Sequence, residues 1–151
     1  MKIAYQGIAG SYSESCAKEK YPNCETISCK TFDECFEKAN QDSSVKAIIP
    51  ESNKTTGNIG VEYLIFKYRL NIYAEHFFPI NHNLLGLPGS EIKDIKDVYS
   101  HAQALSQSSN FIKNKKLNEN VRADTAGSAK YISEKKDITK AAIASKLSAK
   151  I

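Results

Sequence analysis

Short apolar runs alternate along this chain with longer stretches in which apolar residues return at helical spacing. Lys2–Gln6 and Cys24–Cys29 read as strands, and Val45–Ile49 as a third that ends at Pro50. Between them, Ser11–Lys20 reads as a helix with polar residues at its start. Thr31, followed three positions on by Glu34, is a capping-box pattern that opens a second helix. Polar residues then run to Gly57, and a helix carrying Ile59, Val61, Leu64, Ile65 and Tyr68 follows. Leu70–Leu87 breaks this rhythm: it is rich in aromatic and branched residues and holds Pro79, so it reads as two extended segments with a kink. The alternation then resumes. Asp97–Tyr99, Val121–Ala123 and Ala141–Ala144 are the predicted strands, and His101–Asn114, Thr125–Lys135 and a tail to Ile151 the predicted helices.

Repeated strand–helix units predict an α/β fold with a parallel or mixed sheet covered by helices. The interruption at Leu70–Leu87 divides the pattern into two lobes, 1–78 and 79–151. Ligands of such sheets bind beyond the carboxyl ends of the strands. Three turns at such ends present small polar residues: Gln6–Glu14, Tyr99–Leu105 and Ala123–Ala129. Unpaired N–H groups and the positive end of a helix dipole favour bound anions. Turns of this kind facing one cleft would hold a small, multiply charged carboxylate without metal or nucleotide, so no cofactor is expected.

Composition narrows the partners. Of 151 residues, 41% are hydrophobic and 25% charged, ordinary values for a globular protein. The net charge of +4 is almost wholly lysine, since only Arg69 and Arg122 are arginines. No basic stripe interleaved with aromatics is evident, which argues against nucleic acid; a mild positive balance suits an anionic small molecule. No apolar run approaches the ~20 residues of a membrane span. The sequence opens directly on a strand pattern without a secretory signal, so a cytoplasmic location is expected. Cys16, Cys24, Cys29 and Cys35 lack the spacing of a zinc or redox motif and read as reduced thiols. His76, His82 and His101 show no ligand spacing, and no metal site is expected.

Gly7, Gly10, Tyr12, Ser13 and Glu14 match a Gly-x-x-Gly-x-Tyr-Ser-Glu turn; Ser100, His101, Gln103, Ala104, Leu105 and Gln107 match Ser-His-Pro-Gln-Ala-Leu-x-Gln, with Ala102 in place of the proline. Asp124–Gly127 and Ala142–Ser145 match Asp-Thr-Ala-Gly and Ala-Ile-Ala-Ser, and Pro79, Ile80 and His82 fit the crossing segment. In this order they make the chain resemble the catalytic domain of prephenate dehydratase. The resemblance implies a two-lobed fold like type 2 periplasmic binding proteins, with the active site between the lobes. It implies cofactor-free conversion of prephenate to phenylpyruvate, with loss of carbon dioxide and water. Carried over by position, Ser100, Gln107 and Asn53 are the candidate catalytic residues. Tyr12, Ser13, His101, Thr125, Ala126 and Gly127 are the candidate substrate contacts. The competing reading for Ser100, Ser13 and Thr125 is a plain helix cap, and for His101 a structural donor. A homo-oligomer is expected.

Two departures stand out. Where the family has Pro-Ile-Glu-Asn-Ser-x-x-Gly, this chain has Pro50-Glu51-Ser52-Asn53-Lys54-Thr55-Thr56-Gly57. Asn53 is retained, but Ser52 replaces a glutamate and Lys54 a serine. The family's Thr-Arg-Phe motif is also absent from these residues. The expectation is therefore a first lobe incomplete at its C-terminal side, with weak or no turnover unless another chain supplies the segment. Two other readings are a non-catalytic module for an aromatic keto acid or amino acid, and an arogenate dehydratase.

Overall fold

The computed structural model of the protein describes residues 1–55 and 57–151; Thr56, in the polar run before Gly57, lies outside the described residues. The chain forms two compact units, one of Met1–Ile8 and Tyr12–Pro79, the other of Ala9–Ser11 and Ile80–Ile151.

The first unit alternates β1 (Lys2–Gln6), α1 (Tyr12–Lys20), β2 (Glu25–Cys29), α2 (Phe32–Gln41) and β3 (Val45–Ile48). β1 lies between β2 and β3 and is parallel to both. Its central position explains why Ile3, Ala4 and Tyr5 are all buried. α2 closes one face through Cys35, which packs with Ala4, Cys29 and Val45. All four cysteines are free thiols, and burial pushes those of Cys29 and Cys35 up. The predicted cap is present in altered form: Thr31 Oγ1 accepts from the Glu34 N–H at 3.1 Å, while Glu34 Oε2 accepts from Lys30 N at 2.7 Å. The returning arm of the capping box thus lands one residue before the cap.

The polar run after Pro50 contains a small antiparallel ladder that its composition does not announce, β4 (Ser52–Asn53) against β5 (Gly57–Asn58). α3 (Glu62–Tyr68) follows. It is tied to α2 by Asp33, whose carboxylate accepts from Lys67 Nζ at 2.6 Å and Tyr68 O–H at 2.8 Å. Lys67 above all holds the Asp33 carboxyl below its usual range.

The second unit contains β6 (Asn83–Gly86), β7 (Asp97–Ser100), α4 (Ala102–Gln107), α5 (Ser109–Lys115), β8 (Asn118–Val121), α6 (Thr125–Lys135) and β9 (Lys140–Ala144). The strand order is β6-β9-β7-β8. β9, β7 and β8 run parallel, and β6 is antiparallel to β9. Ala141–Ala144 have almost no exposed surface, as the inner strand of a covered sheet requires.

Four expectations need correction. The strand predicted at Val121–Ala123 lies at Asn118–Val121 instead. β8 is an edge strand, so its polar residues Asn118, Glu119 and Asn120 hide it from a search for apolar runs. The helix predicted over His101–Asn114 is two helices that divide at Ser108, where the backbone leaves helical geometry. Of the two extended segments in Leu70–Leu87, only Asn83–Gly86 pairs as a strand among the described residues. The tail ends in a 3₁₀ turn, Ser148–Lys150.

Asp137 anchors the turn into β9 by accepting from Thr139 N at 2.9 Å and Thr139 Oγ1 at 2.7 Å, and by pairing with Lys140. Lys140 first, then Thr139, hold its carboxyl well below the ordinary range. A carboxyl depressed on folding contributes stability above its unfolded pKa and loses that contribution as pH falls. Asp137→Asn should therefore melt lower than the parent at neutral pH. The gap should narrow as pH drops below about 4, in thermal unfolding followed by circular dichroism. Thr31→Ala, which removes the α2 cap, should cost about 1 kcal/mol in denaturant unfolding.

Candidate functional site

The parallel strands β7, β8 and β9 end along one edge of the second unit, at Ser100, Val121 and Ala144. Each is followed by a turn: Ser100–His101 leads into α4, Arg122–Asp124 into α6, and Ser145–Leu147 into the 3₁₀ turn. The Ala9–Ser11 turn joins this edge, because the Gly10 carbonyl accepts from Ser145 Oγ at 2.5 Å and Ser148 Oγ at 2.9 Å. Gly10 has φ +88°, and a Cβ there would sit 2.7 Å from Ser148 Oγ. Both the backbone and the close approach require glycine.

Ser100 is 0% exposed, and its hydroxyl donates to the Ile143 carbonyl at 2.6 Å. It holds β7 to β9. The helix-capping role falls to His101, whose Nδ1 accepts from Gln103 N at 3.3 Å. With Nδ1 as acceptor, a neutral ring carries its proton on Nε2. His101 is thus an acceptor toward the fold, not the structural donor of the competing reading.

Gln107 closes α4 and is exposed; its Oε1 lies 2.7 Å from His82 Nε2. That contact fixes the direction of the amide. One turn earlier stands Gln103, half-buried, whose Nε2 is buried and has no hydrogen-bond partner among the described residues.

α6 begins at Thr125, as predicted, but its cap is Asp124. The Asp124 carboxylate accepts from Gly127 N at 2.5 Å, and its carbonyl accepts from Ser128 Oγ at 2.7 Å. A Cβ on Gly127 would meet Asp124 Oδ2 at 2.8 Å, so the glycine makes room for the capping carboxylate. Thr125 is half-buried and Ala126 buried in the first turn. The helix end expected to receive an anion is thus already served by a carboxylate of the chain itself. α4 is similarly served by His101.

In the first unit, Tyr12 and Ser13 occupy the opening turn of α1, both half-buried. Burial pushes the Tyr12 hydroxyl up to about 12, so it keeps its proton at neutral pH. Glu14, the next motif residue, is buried and accepts from Thr26 Oγ1 at 3.0 Å and Lys18 Nζ at 2.7 Å. Asn53 Oδ1 accepts from Thr55 N at 2.8 Å, an Asx turn within the β4–β5 ladder. Lys54 is exposed beside it. Among the described residues no cluster of His, Cys, Asp and Glu could hold a metal ion, and no helix is long and apolar enough to cross a membrane.

Sequence reasoning missed the hydroxyl bonds of Ser100 to the Ile143 carbonyl and of Ser145 and Ser148 to the Gly10 carbonyl. The signals were a serine closing β7 and another just after the alanine-rich β9. The unpartnered Gln103 amide has a fainter signal, its i,i+4 spacing from Gln107.

The fold is of the α/β class in which polar turns gather beyond the carboxyl ends of parallel strands. The model of the prephenate dehydratase family matches residues 3–151, and the chain belongs to that family. It is 40% identical over 152 residues to arogenate dehydratase/prephenate dehydratase 1, chloroplastic, of Arabidopsis thaliana, covering 100% of this chain and 39% of that protein. It is also 40% identical to arogenate dehydratase 2 of Petunia hybrida, with the same coverage. The chain therefore spans about two fifths of the length of these relatives. Among solved structures, a protein described as a novel type of quorum quenching acylase, GqqA, superposes with TM-score 0.92 at 32% identity, over 99% of this chain and 55% of that one. Prephenate dehydratase from Arthrobacter aurescens, solved with L-Phe, gives TM-score 0.87 at 22% identity over 99% of this chain and 52% of that one, a likeness of fold.

Ser100→Ala leaves the buried Ile143 carbonyl without this donor and should destabilise the protein by about 1–3 kcal/mol in denaturant unfolding. An unchanged midpoint would show that the hydroxyl does not hold the two strands.

Proposed function

We propose that this chain binds the substrate of a prephenate or arogenate dehydratase and, of the two, serves prephenate. The observation that carries the reading is the Gln107 amide at the carboxyl edge of the β7–β8–β9 strands, oriented by His82 at 2.7 Å. It is a preorganised neutral donor–acceptor group at the position where the family motif carries its glutamine.

The reaction asks little covalent work of the protein. The bond from the ring to its carboxylate breaks and carbon dioxide leaves. That electron pair enters the ring, the ring–hydroxyl bond breaks, and the departing oxygen takes a proton to become water. Aromatisation supplies much of the driving force. The protein must hold the anion, orient the leaving carboxylate and support the leaving hydroxyl, tasks suited to fixed dipoles. Gln107 is assigned to substrate binding, and His101, with its proton on Nε2, to a donor beside it. Ser100 acts through the strand end that it positions. Thr125, Ala126 and Gly127 shape the first turn of α6. Tyr12, Ser13 and Asn53 are assigned further contacts on their motif positions alone. Four free thiols fit a reducing compartment such as the cytoplasm, and a homodimer belongs to the same proposal.

Two measurements test it. Calorimetric titration with phenylpyruvate should show binding, and Gln107→Ala should weaken it about tenfold, or ~1.4 kcal/mol. Incubation of the 151-residue chain with prephenate or arogenate should give product slowly if at all, because these residues hold no Thr-Arg-Phe triplet. Rapid turnover of arogenate alone would transfer the assignment to that substrate. Absence of phenylpyruvate binding would remove the reading.

A further inference from the structure

We infer that Gln103 is a second substrate-binding residue, whose side-chain amide donates to a carboxylate or keto oxygen of the bound aromatic acid. This rests on the function proposed above and adds a contact that the reading did not include.

The starting point is an unmet hydrogen-bonding demand. Gln103 Nε2 is buried and has no partner among the described residues. An unpaired amide away from water costs about as much as a lost hydrogen bond, so a protein rarely retains one without use. The adjoining residues Ala104 and Leu105 are buried apolar contacts of α4, and a methionine would fill a similar volume without the unmet donor.

The surroundings are rigid. The Gln103 backbone N–H is bound to His101 Nδ1 at 3.3 Å, which fixes the first turn of α4 and keeps the side chain from escaping by fraying. Gln103 and Gln107 are separated by one helical turn, so their side chains share one stripe of α4. The Gln107 amide is aimed by His82. The stripe therefore presents two neutral amides, one directed by a histidine and one holding N–H groups without an acceptor. A ligand oxygen would supply the acceptor that this amide lacks. An amide suits an anion here because it donates two hydrogen bonds and brings no charge that must itself be desolvated.

The test compares Gln103→Met and Gln103→Glu with the parent chain, using phenylpyruvate as probe and two readouts, affinity by calorimetry and Tm by circular dichroism. Gln103→Met should bind about tenfold more weakly while its Tm holds or rises by roughly 2–4 °C, because the variant loses an unmet donor. Gln103→Glu should lose more affinity than Gln103→Met, since it sets a carboxylate against the ligand's own. Wild-type affinity in Gln103→Met, or tighter binding in Gln103→Glu, overturns the inference. A fall in both Tm and affinity in Gln103→Met also overturns it, by showing that the amide supports the fold. If the parent chain itself fails to bind phenylpyruvate, the proposed function has failed and this contact falls with it. That result is distinct from normal parental binding with indifferent variants.

Discussion

β9 is the strand on which the second unit depends. Its residues Ala141, Ala142 and Ala144 are wholly buried, and Ile143 nearly so. β9 lies between an antiparallel neighbour and a parallel one, so both of its edges are committed to backbone hydrogen bonds. Small side chains let α6 approach closely, with Ala129 and Ile132 against Ala142 and Ala144. Because helix and strands are fixed so tightly, their carboxyl ends form a defined edge. The serine hydroxyls finish it: Ser100 ties β7 to the Ile143 carbonyl, and Ser145 draws in the Gly10 turn. Each hydroxyl donates to a backbone carbonyl, so the polar contacts strengthen the unit that they shape.

At the same edge, the start of α6 is closed by an acidic side chain of the protein itself. Asp124 brings a full negative charge to the start of α6 and takes the Gly127 N–H for itself. A dicarboxylate approaching that turn would meet a like charge within a few ångströms, which outweighs the partial positive charge of the helix end. Side-chain amides have the polarity to meet an anion without bringing charge of their own. Gln107 and Gln103 lie on α4, whose cap is the ring nitrogen of His101 and not a carboxylate. The two helix starts are thus different in kind: one is closed by an anion, the other by a neutral acceptor.

Much of this was legible in the sequence because its local signals agree with its tertiary contacts. Lys2–Gln6 and Thr125–Lys135 fall where the pattern places them: the first is the centre of a parallel sheet, and the second packs one apolar stripe on β9. β8 is hidden because an edge strand need not be apolar, and Val121 is its only apolar residue. Leu70–Leu87 misled in the opposite direction. Ile72, Tyr73 and Phe77 have strand-forming side chains, yet they are exposed, and their segment has no ladder partner among the described residues. Propensity records a fit to a pleated surface and says nothing about whether a neighbouring strand is there. At the site, residue types were readable but their engagements were not. Ser100 looked like a cap or a ligand donor, whereas its hydroxyl is spent on a carbonyl 43 residues away in sequence.

The β4–β5 ladder separates what a motif residue does for the fold from what its charge does. The turn is held by Asn53 Oδ1 on Thr55 N and by the Ile59 N–H on the Glu51 carbonyl at 2.9 Å. Neither bond uses the side chain of Ser52 or Lys54, both exposed, so the glutamate-to-serine and serine-to-lysine departures leave the ladder's own bonds unaltered. Their consequence is electrostatic. With Glu51 standing where the family has isoleucine, the changes together move the local charge by one unit toward positive, and at physiological salt such a change acts over a Debye length of about 8 Å. Within that distance it favours an anion at no cost to the turn. Asn53 has its carbonyl oxygen committed to the turn.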